Sequence, residues 1–249
     1  MTTAGVTDSR DEVSLRTTSL VAGVLYLLTF VSIPTLALYV PVHDPNYVVG
    51  PGPDGGVFSG GILEVIVALA GIGTAVVLFP VLKRQNEALA LGLVGSRVLE
   101  AAGILAGVAC LLAIVSLRQA GAGAGALVAS QTLAILYDRI FLLSQSLMPA
   151  VNDLLLGVLL YQSRLVPRVL PLIAFIGAPL LLVSWIAVLL GIWGQNSTPA
   201  ALAALPVAVF EFSLGVYLVV KGFKSSSPIL SSDARDAEVE PLFTGPSGD

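Results

Sequence analysis

The sequence predicts an all-α fold, a polytopic membrane helix bundle of six transmembrane helices with both ends in the cytoplasm. Three observations carry this. Of 249 residues, 56% are hydrophobic and only 11% charged, under half of the roughly 25% usual for a soluble domain. The apolar residues gather in runs of 20 or more, long enough to cross a bilayer as helices, where barrel strands would alternate over about 10 residues. The lysines and arginines alternate between heavily and sparsely populated loops.

The spans follow in order. Residues 1–17 are polar and expected to be disordered and cytoplasmic. The first span covers about 18–40, with Pro34 in its last third as a candidate kink. It is too long, and too far from the start, for a signal-peptide core, so a retained helix is expected. Residues 41–59 hold four prolines and form a loop. The second span is about 60–82, ended by the polar KRQNE at 83–87, and the third is about 89–117. AGAGAGA at 120–126 reads as a linker. The stretch 127–161 exceeds one upright span; it is a tilted long helix or an interfacial helix leading into a span. The polar QSRLVPR at 162–168 precedes a fifth span at about 169–193. GQNSTP at 194–199 precedes a sixth at about 200–220. The membrane domain is thus 18–224, with 225–249 a disordered acidic cytoplasmic tail carrying Asp233, Asp236, Glu238 and Glu240. With the N-terminus inside, nine basic residues are cytoplasmic (Arg10, Arg16, Lys83, Arg84, Arg164, Arg168, Lys221, Lys224 and Arg235) and Arg118 alone is outside.

Composition narrows function. No basic block suits nucleic acid. The single cysteine, Cys110, excludes an intrachain disulfide framework, and the single histidine, His43, has no second His or Cys to share a metal. No cofactor or metal is expected, and the bilayer is the one evident partner. His43 reads as a solvated loop residue and Cys110 as a small packing residue. An intramembrane enzyme finds no support in H-E-x-x-H, G-x-S-x-G or a phosphate-binding loop, none of which occurs.

The informative residues are the seven ionisable groups within or beside the apolar runs: Glu64, Arg97, Glu100, Asp138, Arg139, Asp153 and Glu211. Each costs at least ~2.5 kcal/mol near a bilayer centre, so they must face the bundle interior, pair or carry protons. Helical rise sorts them into two tiers. An inner tier of Arg97, Glu100, Asp153 and Glu211, with Asn152, lies very roughly 12–17 Å from the cytoplasmic surface. An outer tier holds Glu64, Asp138, Arg139 and Gln145. Asp138, Gln145 and Asn152 fall seven apart on one stripe. The polar positions share faces with small residues: Glu64, Ala68, Gly71 and Ala75; Ser96, Glu100, Gly103, Gly107 and Cys110; Ala204, Ala208, Glu211 and Gly215. Such stripes suit close helix packing in lipid. Arg97 and Glu100, at i and i+3, are placed to pair. Five carboxyls against two arginines leave three unpaired, and a surplus of buried carboxyls suits a cation or a proton path rather than an anion. Three readings stay open: a cluster that binds or moves a small solute or proton, packing glue that fixes helix register, and, without a motif to carry it, an intramembrane enzyme.

Four stretches carry a family resemblance: TSLVAGVLYLLTF at 18–30, GSRVLEAAGI at 95–104 with its R-x-x-E-A core, SRLVPRVLPLIAFIG at 163–177 and EFSLGVYLVVKGF at 211–223. Together they resemble the bacterial integral membrane family called domain of unknown function 4386, over about residues 17–224. Pro171 and Tyr217 depart from the Gly and Trp that the resemblance leads one to expect. The resemblance implies a multi-pass protein of a bacterial cytoplasmic membrane and places Arg97, Glu100 and Glu211 at recurrent polar positions. It implies no reaction.

Overall fold

A computed structural model describes residues 4–230, with side chains from residue 14 onward. Among the described residues there are helices and no strands. Six segments are long and apolar enough to cross a membrane: Ser14–Leu38, Gly55–Leu82, Glu87–Gln119, Gly123–Ser163, Val169–Leu189 and Thr198–Val220. Their outward faces are a continuous aliphatic band that includes Ile62, Leu69, Leu99, Ile176, Val183 and Leu202, all more than half exposed to the bundle's surroundings. That band is the surface lipid requires.

The first helix, α1 (Ala4–Leu28), begins well before the apolar run. The expected disordered N-terminus is therefore corrected for residues 4–17, whose backbone continues the helix; no proline and no glycine interrupts residues 6–22. After Leu28 the chain tightens into a 3₁₀ turn at Thr29–Ser32, passes Pro34, and makes the single turn α2 (Thr35–Leu38). Hydroxyls of Thr29, Ser32 and Thr35 donate back to the carbonyls of Tyr26, Ser32's neighbour Thr29, and Ser32 at 2.7, 3.3 and 2.7 Å. Such back-bonding competes with the regular ladder, and Pro34 supplies no N–H to it.

Helix α3 (Gly55–Leu82) starts five residues earlier than the loop's composition suggests. Helix α4 (Glu87–Gln119) is capped by Asn86, whose side chain accepts from the Leu89 N–H at 3.0 Å. The long fourth stretch is one segment, Gly123–Ser163, interrupted in its middle. It is α5 (Leu127–Phe141), a π stretch at Leu142–Ser146, and α6 (Met148–Ser163). Pro149 in the first turn of α6 requires the break, and the Trp185 indole donates to the Leu142 carbonyl there at 3.1 Å. Helix α6 ends at Arg164 in the left-handed conformation. Helices α7 (Val169–Leu189) and α8 (Thr198–Val220) complete the bundle, α8 capped by Ser197.

The spans pack in chain order as a closed ring: α1 on α3, α3 on α4, α4 on α5 and α6, α6 on α7, α7 on α8, and α8 back on α1. Both ends of the ring's chain lie at one face, where Arg16 donates to the Leu218 and Val219 carbonyls at 3.1 and 2.7 Å and satisfies the open end of α8. We call this the terminal face and the opposite one the loop face. At the terminal half the ring is filled by Tyr26, Leu78, Leu82, Leu93, Leu156, Leu160, Phe210 and Leu214, all fully buried. The α1–α8 seam depends on absent side chains: a Cβ on Gly23 would meet the Gly215 carbonyl oxygen at 2.7 Å and Val219 at 2.8 Å.

The tail is corrected in part. Part of 225–230 is anchored: the buried Ser227 hydroxyl donates to the Ser163 carbonyl at 2.6 Å, the Lys224 N–H just before it donates to Leu165 O at 2.8 Å, and Ile229 and Leu230 lie against the core. Pro228 starts a short helical turn there. The acidic positions 233–240 lie outside the described residues.

Candidate functional site

The inner polar residues converge halfway through the ring. Arg97, on α4 and only 4% exposed, donates from Nη1 to Glu100 Oε2 at 3.0 Å and from Nη2 to Glu211 Oε1 on α8 at 2.7 Å. The i,i+3 pair expected on α4 is therefore formed, and the same guanidinium ties α4 to α8. Its face lies over the Tyr26 ring of α1 at 5.6 Å. Asn152 on α6 donates to Glu100 Oε2 at 2.8 Å. One arginine thus collects α1, α4, α6 and α8 at one level.

Hydrogen bonding is incomplete at this level. Asp153 is fully buried, within electrostatic range of Glu211, Arg97 and Glu100, and both its oxygens lack a partner. The Asn152 Oδ1 and Arg97 Nε are also buried and unpartnered. Native interiors carry few such groups, and four atoms at one spot mark it as other than finished packing. The free oxygens of the glutamates differ: Glu100 Oε1 and Glu211 Oε2 accept no bond yet are not sealed off, and both residues border a cavity.

That cavity has a volume of about 700 Å³. Its floor is Gly71, Arg97, Glu100 and Glu211; its walls are mainly Phe30, Ile104, Phe141, Leu181 and Trp185; its rim carries Val40, Gln195, Asn196 and Ser197. It occupies the loop-face half of the ring and opens at that face. From Ser197 to Glu211 along α8 it descends about 21 Å at helical rise. Two local sequence features make the space. Helix α8 presents Ala200, Ala201, Ala204 and Ala208 to it. The chain after Leu28 lies on α3 and touches α8 through the Phe30 ring, which packs edge-on to Phe212 at 5.5 Å. Formally the floor carries one positive and two negative charges, a net −1, before Asp153 is counted.

The outer tier does not form one cluster. Glu64, 1% exposed, accepts from the hydroxyls of Tyr39 and Tyr137, both at 3.2 Å, and from Gln145 Nε2 at 3.3 Å. Asp138 stands apart and takes His43 Nε2 at 3.2 Å. His43 is therefore not the solvated loop residue expected: Nδ1 lies 2.7 Å from the Tyr39 carbonyl and the ring packs edge-on to Tyr137. The hydrogen bond with Asp138 raises its pKa above the ordinary histidine value, against the opposing effect of burial. Arg139 is exposed and borders the outer groove beside Trp193. Gln145 bridges the tiers, since it bonds Glu64 and also lines the cavity.

One functional cluster escaped the sequence reading. Asp54 accepts from Arg118 Nε at 2.8 Å and from Arg118 Nη2, from the Tyr47 hydroxyl at 2.7 Å and from Gln119 Nε2 at 2.9 Å. These donors, Arg118 first, hold the Asp54 carboxyl down at about 2. The clasp binds the loop at 41–54 to the end of α4. Arg118, read only as the lone outside cation, was the available signal.

An all-α ring of six membrane-length helices with a polar-floored central cavity defines a small multi-pass membrane protein. The family described as "Domain of unknown function (DUF4386)" matches residues 21–222, and the chain belongs to it. No curated protein and no solved structure matches the chain.

Proposed function

We propose that this chain is a solute-binding protein of a bacterial cytoplasmic membrane, with the terminal face in the cytoplasm, that loads a small solute or a proton from the loop-face side onto Glu100 and Glu211. The orientation rests on the nine-to-one distribution of basic residues. The binding role rests on one observation: the cavity of about 700 Å³ runs from the loop face to a charged floor. Packing glue needs no such space, and evolution of a bundle toward stability fills it. The filled terminal half closes the other side, so movement of a solute across the membrane requires a second arrangement of that half.

The outer polar residues other than Gln145, which also lines the cavity, belong to the glue reading. All of Glu64's donors lie on the loop segment, α5 and the π stretch, and Glu64 itself does not border the cavity. Function and packing are thus divided between the two levels.

Thiol labelling tests the binding role. On a Cys110→Ala background, Ala204→Cys in the wall is expected to react with a membrane-impermeant methanethiosulfonate added at the loop face, while Leu214→Cys in the filled half stays unreactive. An inert Ala204→Cys variant removes the water-accessible cavity and the proposal with it. Proton or solute flux in proteoliposomes tests the further step to transport; equal flux for wild type, Glu100→Gln and Glu211→Gln refutes it.

A further inference from the structure

The cavity's surface has a chemical polarity that narrows its occupant. At the floor, Arg97 has both terminal nitrogens engaged, one by each glutamate, and its face covered by Tyr26. Its Nε donor has no partner but is buried. What remains open to the cavity is Glu100 Oε1 and Glu211 Oε2, two acceptors on groups whose combined charge with Arg97 is −1. An anion would meet two carboxylate oxygens and a guanidinium whose terminal nitrogens already donate to those carboxylates. A cation with N–H donors meets both charge and hydrogen-bond demand.

Above the floor the walls change character. Phe30, Ile104, Phe141 and Trp185 give aromatic and aliphatic surface, and the Trp185 N–H is used by the Leu142 carbonyl. A small hydrated ion would leave this surface facing water. A molecule with an apolar body covers it.

The side of the cavity is open as well as its end. Ile33 and Leu36 line it and are 60% and 66% exposed. They lie on the segment packed against α3 and line the same cavity as Ala204 and Ala208 of α8. This rim is aliphatic and at membrane depth, whereas Gln195, Asn196 and Ser197 make the polar rim at the loop face.

We propose that the occupant is an amphiphilic organic ammonium ion, its head on Glu100 and Glu211 and its apolar body between Phe30, Ile104 and Trp185, and that it reaches the floor sideways from the bilayer between α2 and α8. This rests on the binding role proposed above and specifies its ligand.

The test uses full-length protein in zwitterionic nanodiscs, with Trp193→Phe so that Trp185 is the single tryptophan, excited selectively over the tyrosines. The probes are 4-(4-bromophenyl)butylammonium and its alcohol and carboxylate analogues, whose bromine quenches nearby tryptophan; empty nanodiscs correct for partitioning. Saturable quenching by the ammonium with an apparent Kd at least tenfold below both analogues is expected. Glu211→Gln is expected to raise the ammonium Kd about tenfold and to leave the alcohol's within twofold, which shows that the variant is folded. A carboxylate that binds as tightly as the ammonium, or an ammonium Kd unmoved by Glu211→Gln, overturns the inference and leaves the cavity as a binding site for another class. Absence of saturable quenching by all three overturns both. Leu36→Phe, which narrows the side opening without adding a tryptophan, is expected to slow association and dissociation together at least fivefold; unchanged rates refute the lateral route.

Discussion

Removing the guanidinium of Arg97 tests how the floor is held. It donates to Glu100 at 3.0 Å and Glu211 at 2.7 Å, and side-chain exposures of these three groups are 5%, 11% and 14%. In Arg97→Met the local charge falls from −1 to −2, with two mostly buried carboxylates deprived of their cation. Breaking a buried pair in this way costs about 3–5 kcal/mol, most of it the desolvation of the charge left behind. Glu211→Gln is milder: the amide oxygen still accepts from Nη2, so only the charge-assisted part is lost, about 1 kcal/mol. Arg97→Met combined with Glu100→Gln and Glu211→Gln removes every charge of the triad and is expected to recover most of the loss. Reversible SDS unfolding of the purified protein, followed by far-ultraviolet circular dichroism, ranks the variants. If Arg97→Met costs under about 1 kcal/mol, or the triple variant is no better than the single one, the triad is not a desolvated unit and the floor is wetter than argued.

Three further outcomes are expected. Gly23→Ala drives a Cβ against the Gly215 carbonyl and Val219 and is expected to cost about 1–3 kcal/mol by overpacking in the same SDS titration; a neutral result means the α1–α8 seam is loose. His43, its pKa raised chiefly by Asp138, gives the folded state stability that is complete below the unfolded histidine value of ~6.5 and is lost as pH rises through the folded value. Amide exchange of residues 40–50 is accordingly expected to quicken with rising pH above that value beyond the intrinsic rate, and Asp138→Asn should abolish the excess; both partners are about a third or more exposed, so the effect is small. Ser227→Ala deletes a buried donor to Ser163 O worth about 1 kcal/mol and should speed proteolysis at residues 225–230; an unchanged cleavage rate refutes the packed start of the tail.

The six spans were legible because lipid demands apolar runs of a set length, and those runs are local. The Asn86 cap and the break before Pro149 are equally local signals, though only the structure drew attention to them. The pairing of Arg97 with Glu100 needed only helical spacing. Other features depended on chain crossings that spacing does not encode. Asp138 was grouped with Glu64 by depth, yet it meets His43, 95 positions away; a π stretch between Asp138 and Asn152 changes how the seven-residue stripe is presented. Arg139, one position on, points out of the bundle. The hollow was the least visible feature of all. Ala204, Ala208, Glu211 and Gly215 form one stripe of small residues beside a polar one, which reads throughout as close packing. In the structure Gly215 packs on α1 while Ala204 and Ala208 face open space, where the chain after Leu28 lies on α3.

This division of one stripe bears on whether the cavity is a defect or a device. Ala204→Leu adds three carbons to the wall, and burying them is worth at most about 2.4 kcal/mol at roughly 0.8 kcal/mol per methylene. If the space is idle, the substitution stabilises the bundle and changes nothing else. If the space is a site, the same substitution still stabilises, since Ala204 makes none of the floor's hydrogen bonds, but it blocks the ammonium probe. Stability gained together with binding lost is what a protein that keeps a hollow for use should show. Raised SDS-unfolding stability with unaltered probe affinity argues that ligand does not pass Ala204, and lowered stability argues that the wall is already full. The measurement separates the two readings of the polar floor without knowing the natural solute, because it asks only what the missing side-chain volume is for.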